Sequence, residues 1–116
     1  MAASPQALHY LQHSFSDPAL HNGASTLRLN SGRRMPAMGC GTWQLSHHTT
    51  DTVLQALRLG YRMIDTSGDY HTQRGIGEAL RQSDLPREAV FVITKVEPTE
   101  DAYEATRRNL AELKLD

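Results

Sequence analysis

From Leu27 onward the chain alternates short apolar runs with stretches of helical spacing. Leu27-Arg28-Leu29 alternates with period two, Asn30-Ser31-Gly32 is turn chemistry, and Arg33 to Met35 returns as the second arm of a hairpin before Pro36. Met38 to Thr42 reads as a first buried strand. Thr49-Thr50-Asp51 predicts an N-cap and a negative first turn for a helix whose Val53, Ala56, Leu57 and Gly60 follow helical spacing, with Gly60 as its stop. Tyr61 to Asp65 predicts a second strand. Gln73 to Gln82 predicts a second helix with Ile76, Ala79 and Leu80 on one face, and Asp84-Leu85-Pro86 is loop chemistry. Ala89 to Ile93 is the strongest strand, apolar throughout as a parallel strand covered on both faces should be, and it runs on to Lys95. Pro98-Thr99 then starts a third helix, with Glu100 and Asp101 in its first turn and Ala102, Thr106, Leu110 and Leu113 down one side.

The order is therefore a hairpin followed by three βα units, which implies an α/β fold with a parallel sheet and right-handed crossovers. A barrel of eight such units takes about 250 residues. With Asp65 and Lys95 thirty positions apart, the chain is expected to hold roughly the first three-eighths of a (β/α)8 barrel. No Gly-x-Gly-x-x-Gly follows the first strand, which weakens a dinucleotide-binding doubly wound fold and leaves a different open sheet compatible.

Composition changes this picture little. The 116 residues, 39% hydrophobic and 22% charged, suffice for one globular core, and a formal net charge of -1 gives no reason to expect a nucleic-acid partner. The lone cysteine, Cys40, cannot form an internal disulfide; it reads as a small core residue in a reducing, cytoplasmic compartment. No stretch approaches a membrane span. Residues 1–26 lack a secretory signal and contain no Lys or Arg, so they are expected to form a mobile or loosely docked extension, with Leu8, Leu11 and Phe15 as a weak helical face. His9, His13 and His21 read as solvated, and no metal is expected. The domain proper spans 27–116.

Chemistry gathers where the strands end. In both barrels and open α/β sheets, residues at the C-terminal ends of parallel strands build the site. Asp65 and Lys95 occupy equivalent points of consecutive βα units, and Tyr70 lies in the loop that must pass above them. A phenol with a reference pKa near 10 is a poor proton donor at neutral pH unless a cation stabilises its phenolate. Lowering that pKa by about two units takes roughly 2.7 kcal/mol, within reach of one close ammonium in a poorly hydrated site. Lys95 is the expected cation, held by a charge-assisted hydrogen bond to Asp65.

The run GYRMIDTSGDYHTQRGIG resembles the first signature of the aldo-keto reductase family through Gly60, Tyr61, Arg62, Ile64, Asp65, Thr66, Ser67, Gln73, Ile76 and Gly77. GCGTW and VFVITK fall where that family has its first and third strands, so the resemblance covers Leu27 to Asp116. It implies a (β/α)8 barrel that reduces aldehydes and ketones with NADPH. It also implies Tyr70 as proton donor, Lys95 as the residue lowering its pKa, and Asp65 as the partner of Lys95. Thr42 and Asp65 match positions beside the nicotinamide ribose of NADP, and Trp43 matches an aromatic lining the substrate pocket.

Some positions depart from the family. Thr72 and Gln73 stand where it usually has an Asn-Glu pair, and Met63 and Glu78 are also atypical. Asn109 to Asp116 resembles the lead into a fourth strand whose far end carries the family's catalytic histidine. None of His47, His48 or His71 matches that histidine, and all three read as solvated. The expectation is an incomplete N-terminal part of a carbonyl reductase acting on a small molecule, inactive and aggregation-prone when isolated, with no membrane, nucleic-acid or protein partner. The alternative is a catalytically silent remnant serving as an interaction module.

Overall fold

The computed structural model describes residues 25–115. β1 (Thr26–Arg28) and β2 (Arg34–Pro36) form the antiparallel hairpin, with Leu27 opposite Met35 and Arg28 opposite Arg34. Gly32 supplies the turn's positive φ of 84°, and the buried Thr26 hydroxyl accepts from Arg34 Nε at 2.7 Å. Thr26, the last residue of the expected extension, thus pairs within the hairpin; residues 1–24 lie outside the described residues.

Three parallel strands follow in the order β3 (Cys40–Gly41), β4 (Met63–Asp65), β5 (Phe91–Ile93). Gly41, Asp65 and Ile93 stand in register at their C-terminal ends. Between and after them lie α1 (Thr49–Arg58), α2 (Gln73–Gln82) and α3 (Ala102–Leu113), with α1 packed on α2 and α2 on α3. The core joins Val53, Leu54 and Leu57 of α1, Ile64 of β4, Ile76 and Ala79 of α2, Val90 before β5 and Leu113 of α3. The described residues form three βα units and no closed barrel.

Several local expectations give way to the structure. The first strand keeps only two residues and Met38 is exposed, because Gly39 passes directly against Met63 and only the Cys40 side chain turns toward the helices. Cys40 is half-buried rather than buried. β5 is likewise half-buried along its length, since the helices cover the face carrying Ile64 and Val92 and leave the face of Met63, Asp65, Phe91 and Ile93 partly open.

The helix ends also differ. α1 grows out of a short 3-10 turn, Ser46–His48, and the Thr49 hydroxyl donates back to Ser46 O at 2.6 Å instead of capping the helix. Its C-terminus is as expected: Gly60 at φ 102° donates to Leu57 O (3.1 Å) while Tyr61 donates to Ala56 O (3.0 Å), the paired bonds of a Schellman stop. α3 begins at Ala102, because Pro98-Thr99 forms a turn and the Asp101 carboxylate caps the Glu104 N–H at 3.0 Å. Its buried stripe is Ala105, Asn109 and Leu113, while Ala102 and Thr106 face solvent. No helix among the described residues is long and apolar enough to cross a membrane.

Candidate active site

The parallel ladder continues one residue past the strands, with Thr42 N–H on Asp65 O (3.1 Å) and Thr66 N–H on Ile93 O (2.8 Å). After the extended Ser67 the chain makes a tight 3-10 turn, Gly68–Tyr70, which Gly68 N–H pins to Lys95 O at 3.3 Å. His71, at φ 57°, then redirects the backbone into α2. Tyr70 is thereby carried over the end of β5, where Lys95 stands.

The Lys95 ammonium gathers the cluster. It donates to Asp65 Oδ1 and Oδ2 at 2.9 Å each and to Thr66 O at 2.7 Å, with Tyr70 Oη at 3.5 Å and the Tyr70 ring centroid at 4.9 Å. Partial burial pulls the Lys95 pKa down, but hydrogen bonds and charge from Asp65 and then Tyr70 outweigh it, leaving the amine above the ordinary lysine value of 10.5. The pair is not dry: 45% of the Lys95 side chain and 35% of the Asp65 side chain remain exposed, so its role is to hold geometry more than to stabilise the fold.

Thr42 sits beside Asp65 with its hydroxyl turned inward, donating to Asp65 O at 2.9 Å and 3.0 Å from Thr72 Oγ1. Thr72 Oγ1 is in turn 2.8 Å from Thr66 Oγ1, and all three threonines are buried. Trp43 is 65% exposed in the turn after β3, at the same end of the sheet. His47 and His48 lie in the open with their rings tilted against each other, centroids 3.9 Å apart, and His71 is exposed. A cleft of about 360 Å³ lined by Leu80, Leu85, Val90 and Leu115 lies at the opposite end of β5 and shares no residue with this cluster.

Several supporting residues carry no chemical signal in the sequence. Gln73, buried at the start of α2, donates to Asn109 Oδ1 (3.1 Å) and Glu112 Oε2 (2.8 Å) and accepts the Thr94 hydroxyl (2.7 Å); Asn109 Nδ2 donates to Lys95 O (3.0 Å). Thr72 closes the hydroxyl cluster. The available signal for Asn109 was its place on the Ala105–Leu113 stripe, where a polar amide must find buried partners.

The sequence profile of the Aldo/keto reductase family matches residues 37–113, from just ahead of β3 to the end of α3. The chain belongs to the aldo/keto reductase family. Aldehyde reductase YPR1 of Saccharomyces cerevisiae is 38% identical over 100 residues, covering 84% of this chain and 32% of the yeast protein. An aldo/keto reductase from Brucella melitensis superposes with a TM-score of 0.73 at 35% identity, covering 80% of this chain and 38% of that one. The Bombyx mori aldo-keto reductase AKR2E4, solved in complex with NADP, gives a TM-score of 0.73 at 28% identity over 80% of this chain and 35% of its own. The chain spans about a third of the length of the curated relatives it matches. These solved neighbours are (β/α)8 barrels, and the three βα units of this chain correspond to part of one.

Proposed function

We propose that the protein reduces aldehydes or ketones to alcohols with NADPH, and that Asp65, Tyr70 and Lys95 carry the proton-transfer half of that reaction. The observation behind this reading is the single ammonium of Lys95 bridging the Asp65 carboxylate and the Tyr70 hydroxyl. Tyr70 gives its proton to the carbonyl oxygen, forming the alcohol O–H and leaving a phenolate, which solvent reprotonates. Lys95 stabilises that phenolate, and Asp65 keeps the amine protonated and in place.

NADPH, when bound, supplies the hydride. The residues at the strand ends fit its nicotinamide ribose: Asp65 presents a partly exposed carboxylate, an acceptor suited to ribose hydroxyls, on the sheet face without helices. Thr42 acts in this reading from behind, since its hydroxyl is committed to Asp65 O and Thr72, and it fixes the Asp65 backbone against the ribose. Trp43 lines the mouth of the substrate site with an exposed ring. The substrate is a small carbonyl compound, in keeping with the yeast relative's name, and a lone half-buried thiol suits a cytoplasmic setting.

The test is NADPH oxidation, followed by the loss of the reduced nicotinamide's absorbance, by the protein expressed from its complete reading frame, with an aliphatic aldehyde. Aldehyde-dependent oxidation is the expected result. A folded protein that binds NADPH and turns over no carbonyl substrate contradicts the reading.

A further inference from the structure

The carbonyl oxygen of Lys95 is a joint between two elements. It accepts Gly68 N–H at 3.3 Å, from the turn that carries Tyr70, and Asn109 Nδ2 at 3.0 Å, from α3. The Asn109 side chain is fully buried, and its orientation is set by Gln73, whose Nε2 donates to Asn109 Oδ1 at 3.1 Å. Gln73 is set in turn by Glu112: an ionised carboxylate only accepts, so the Gln73 amide nitrogen must face Glu112 Oε2, at 2.8 Å, and leave Oε1 to the Thr94 hydroxyl at 2.7 Å. Each amide has one orientation that satisfies every partner, dictated from Glu112 inward to the Lys95 backbone.

We propose that Glu112, Gln73 and Asn109 form a positioning relay that fixes the Lys95 carbonyl and, through the Gly68 turn, sets the distance of Tyr70 from the Lys95 amine. The proposal rests on the reading of Tyr70 and Lys95 as the proton-transfer pair. None of the three residues touches the reacting groups; they act through the backbone on either side of them.

The relay makes a specific demand on position 73. A glutamate there has only acceptors to present. It meets the Glu112 carboxylate, and it draws Asn109 Nδ2 toward itself, which turns Oδ1 onto the Lys95 carbonyl and sets two acceptors against each other in a buried space. Charge conflict and amide reversal are separate effects, and they separate experimentally.

The test compares wild type, Gln73→Glu and Gln73→Glu/Glu112→Gln in the protein expressed from its complete reading frame. Thermal midpoint, NADPH affinity, kcat for aldehyde reduction and hydrogen exchange of the Gly68 amide are measured for each. Gln73→Glu is expected to lower the midpoint. The double variant, relieved of the second carboxylate, recovers most of that loss, yet its kcat stays about tenfold or more below wild type with NADPH affinity unchanged. Its Gly68 amide exchanges faster than in wild type. A double variant with wild-type kcat, with wild-type Gly68 exchange, or no more stable than Gln73→Glu overturns the proposal. A Tyr70→Phe arm keeps the two readings apart: full activity there overturns the proton-donor assignment, while Gly68 exchange still reports on the relay alone.

Discussion

The Lys95 ammonium sits 2.9 Å from both carboxylate oxygens of Asp65, one strand away at the same end of the sheet. Partial burial alone would lower the amine's pKa; Asp65, with help from Tyr70, reverses the sign. Asp65→Asn is therefore expected to bring the Lys95 pKa down from its raised value, as read by NMR titration of the Nζ resonance. An unchanged Lys95 titration would remove Asp65 from its assigned role.

The same shift fixes a pH dependence. Because the folded pKa of Lys95 lies above the unfolded value near 10.5, its contribution to stability is complete below that pH and fades as pH rises through the folded pKa. For a pair this exposed the loss should stay under about 1 kcal/mol. Denaturant melts of wild type and Lys95→Met between neutral and alkaline pH check this: the gap between them should narrow above pH 10.5, and a gap that widens contradicts it.

Gly77 lies where α2 meets the end of α3, and a Cβ there would run into the backbone carbonyl of Leu113. Helix propensity favours alanine over glycine by about 1 kcal/mol, but the obstacle is backbone and cannot rotate away, so overpacking should win. Gly77→Ala is expected to destabilise by about 1–3 kcal/mol. Equilibrium urea unfolding measures it, with the exposed Arg74→Ala as a control expected within about 0.5 kcal/mol of wild type.

Thr72→Val keeps the shape of the buried hydroxyl cluster and removes its central member. The Thr66 hydroxyl then loses the partner 2.8 Å away, and Thr42 retains only Asp65 O. A cost of about 1–3 kcal/mol follows from leaving a buried hydroxyl unpaired. A neutral result in the same unfolding assay would mean that the cluster does not hold the strand ends together.

The fold was legible because its signals are local. Periodicity marked α2 to the residue, Gly60 marked the end of α1, and three βα repeats implied the parallel sheet that the strands form. The misses have nonlocal causes. Apolar residues of β5 read as covered on both faces, yet coverage depends on what packs across the sheet, and only one face meets helices here. The expected α3 stripe omitted Asn109, a polar residue whose buried partners, Gln73 and the Lys95 carbonyl, lie 36 and 14 positions away in sequence. At the site, strand-end logic anticipated the convergence of Asp65, Tyr70 and Lys95. It could not show that the Thr42 hydroxyl is occupied, because that depends on Thr72 across the next loop.

The central claim is that Tyr70 donates the proton while the cofactor is held by other groups. The most direct measurement compares single-turnover aldehyde reduction and NADPH affinity in wild type and Tyr70→Phe, both expressed from the complete reading frame. The account predicts a loss of turnover of at least about 100-fold with NADPH affinity unchanged, because only the proton donor is removed. Tyr70→Phe turning over at the wild-type rate, or losing cofactor affinity and turnover in equal measure, would contradict it.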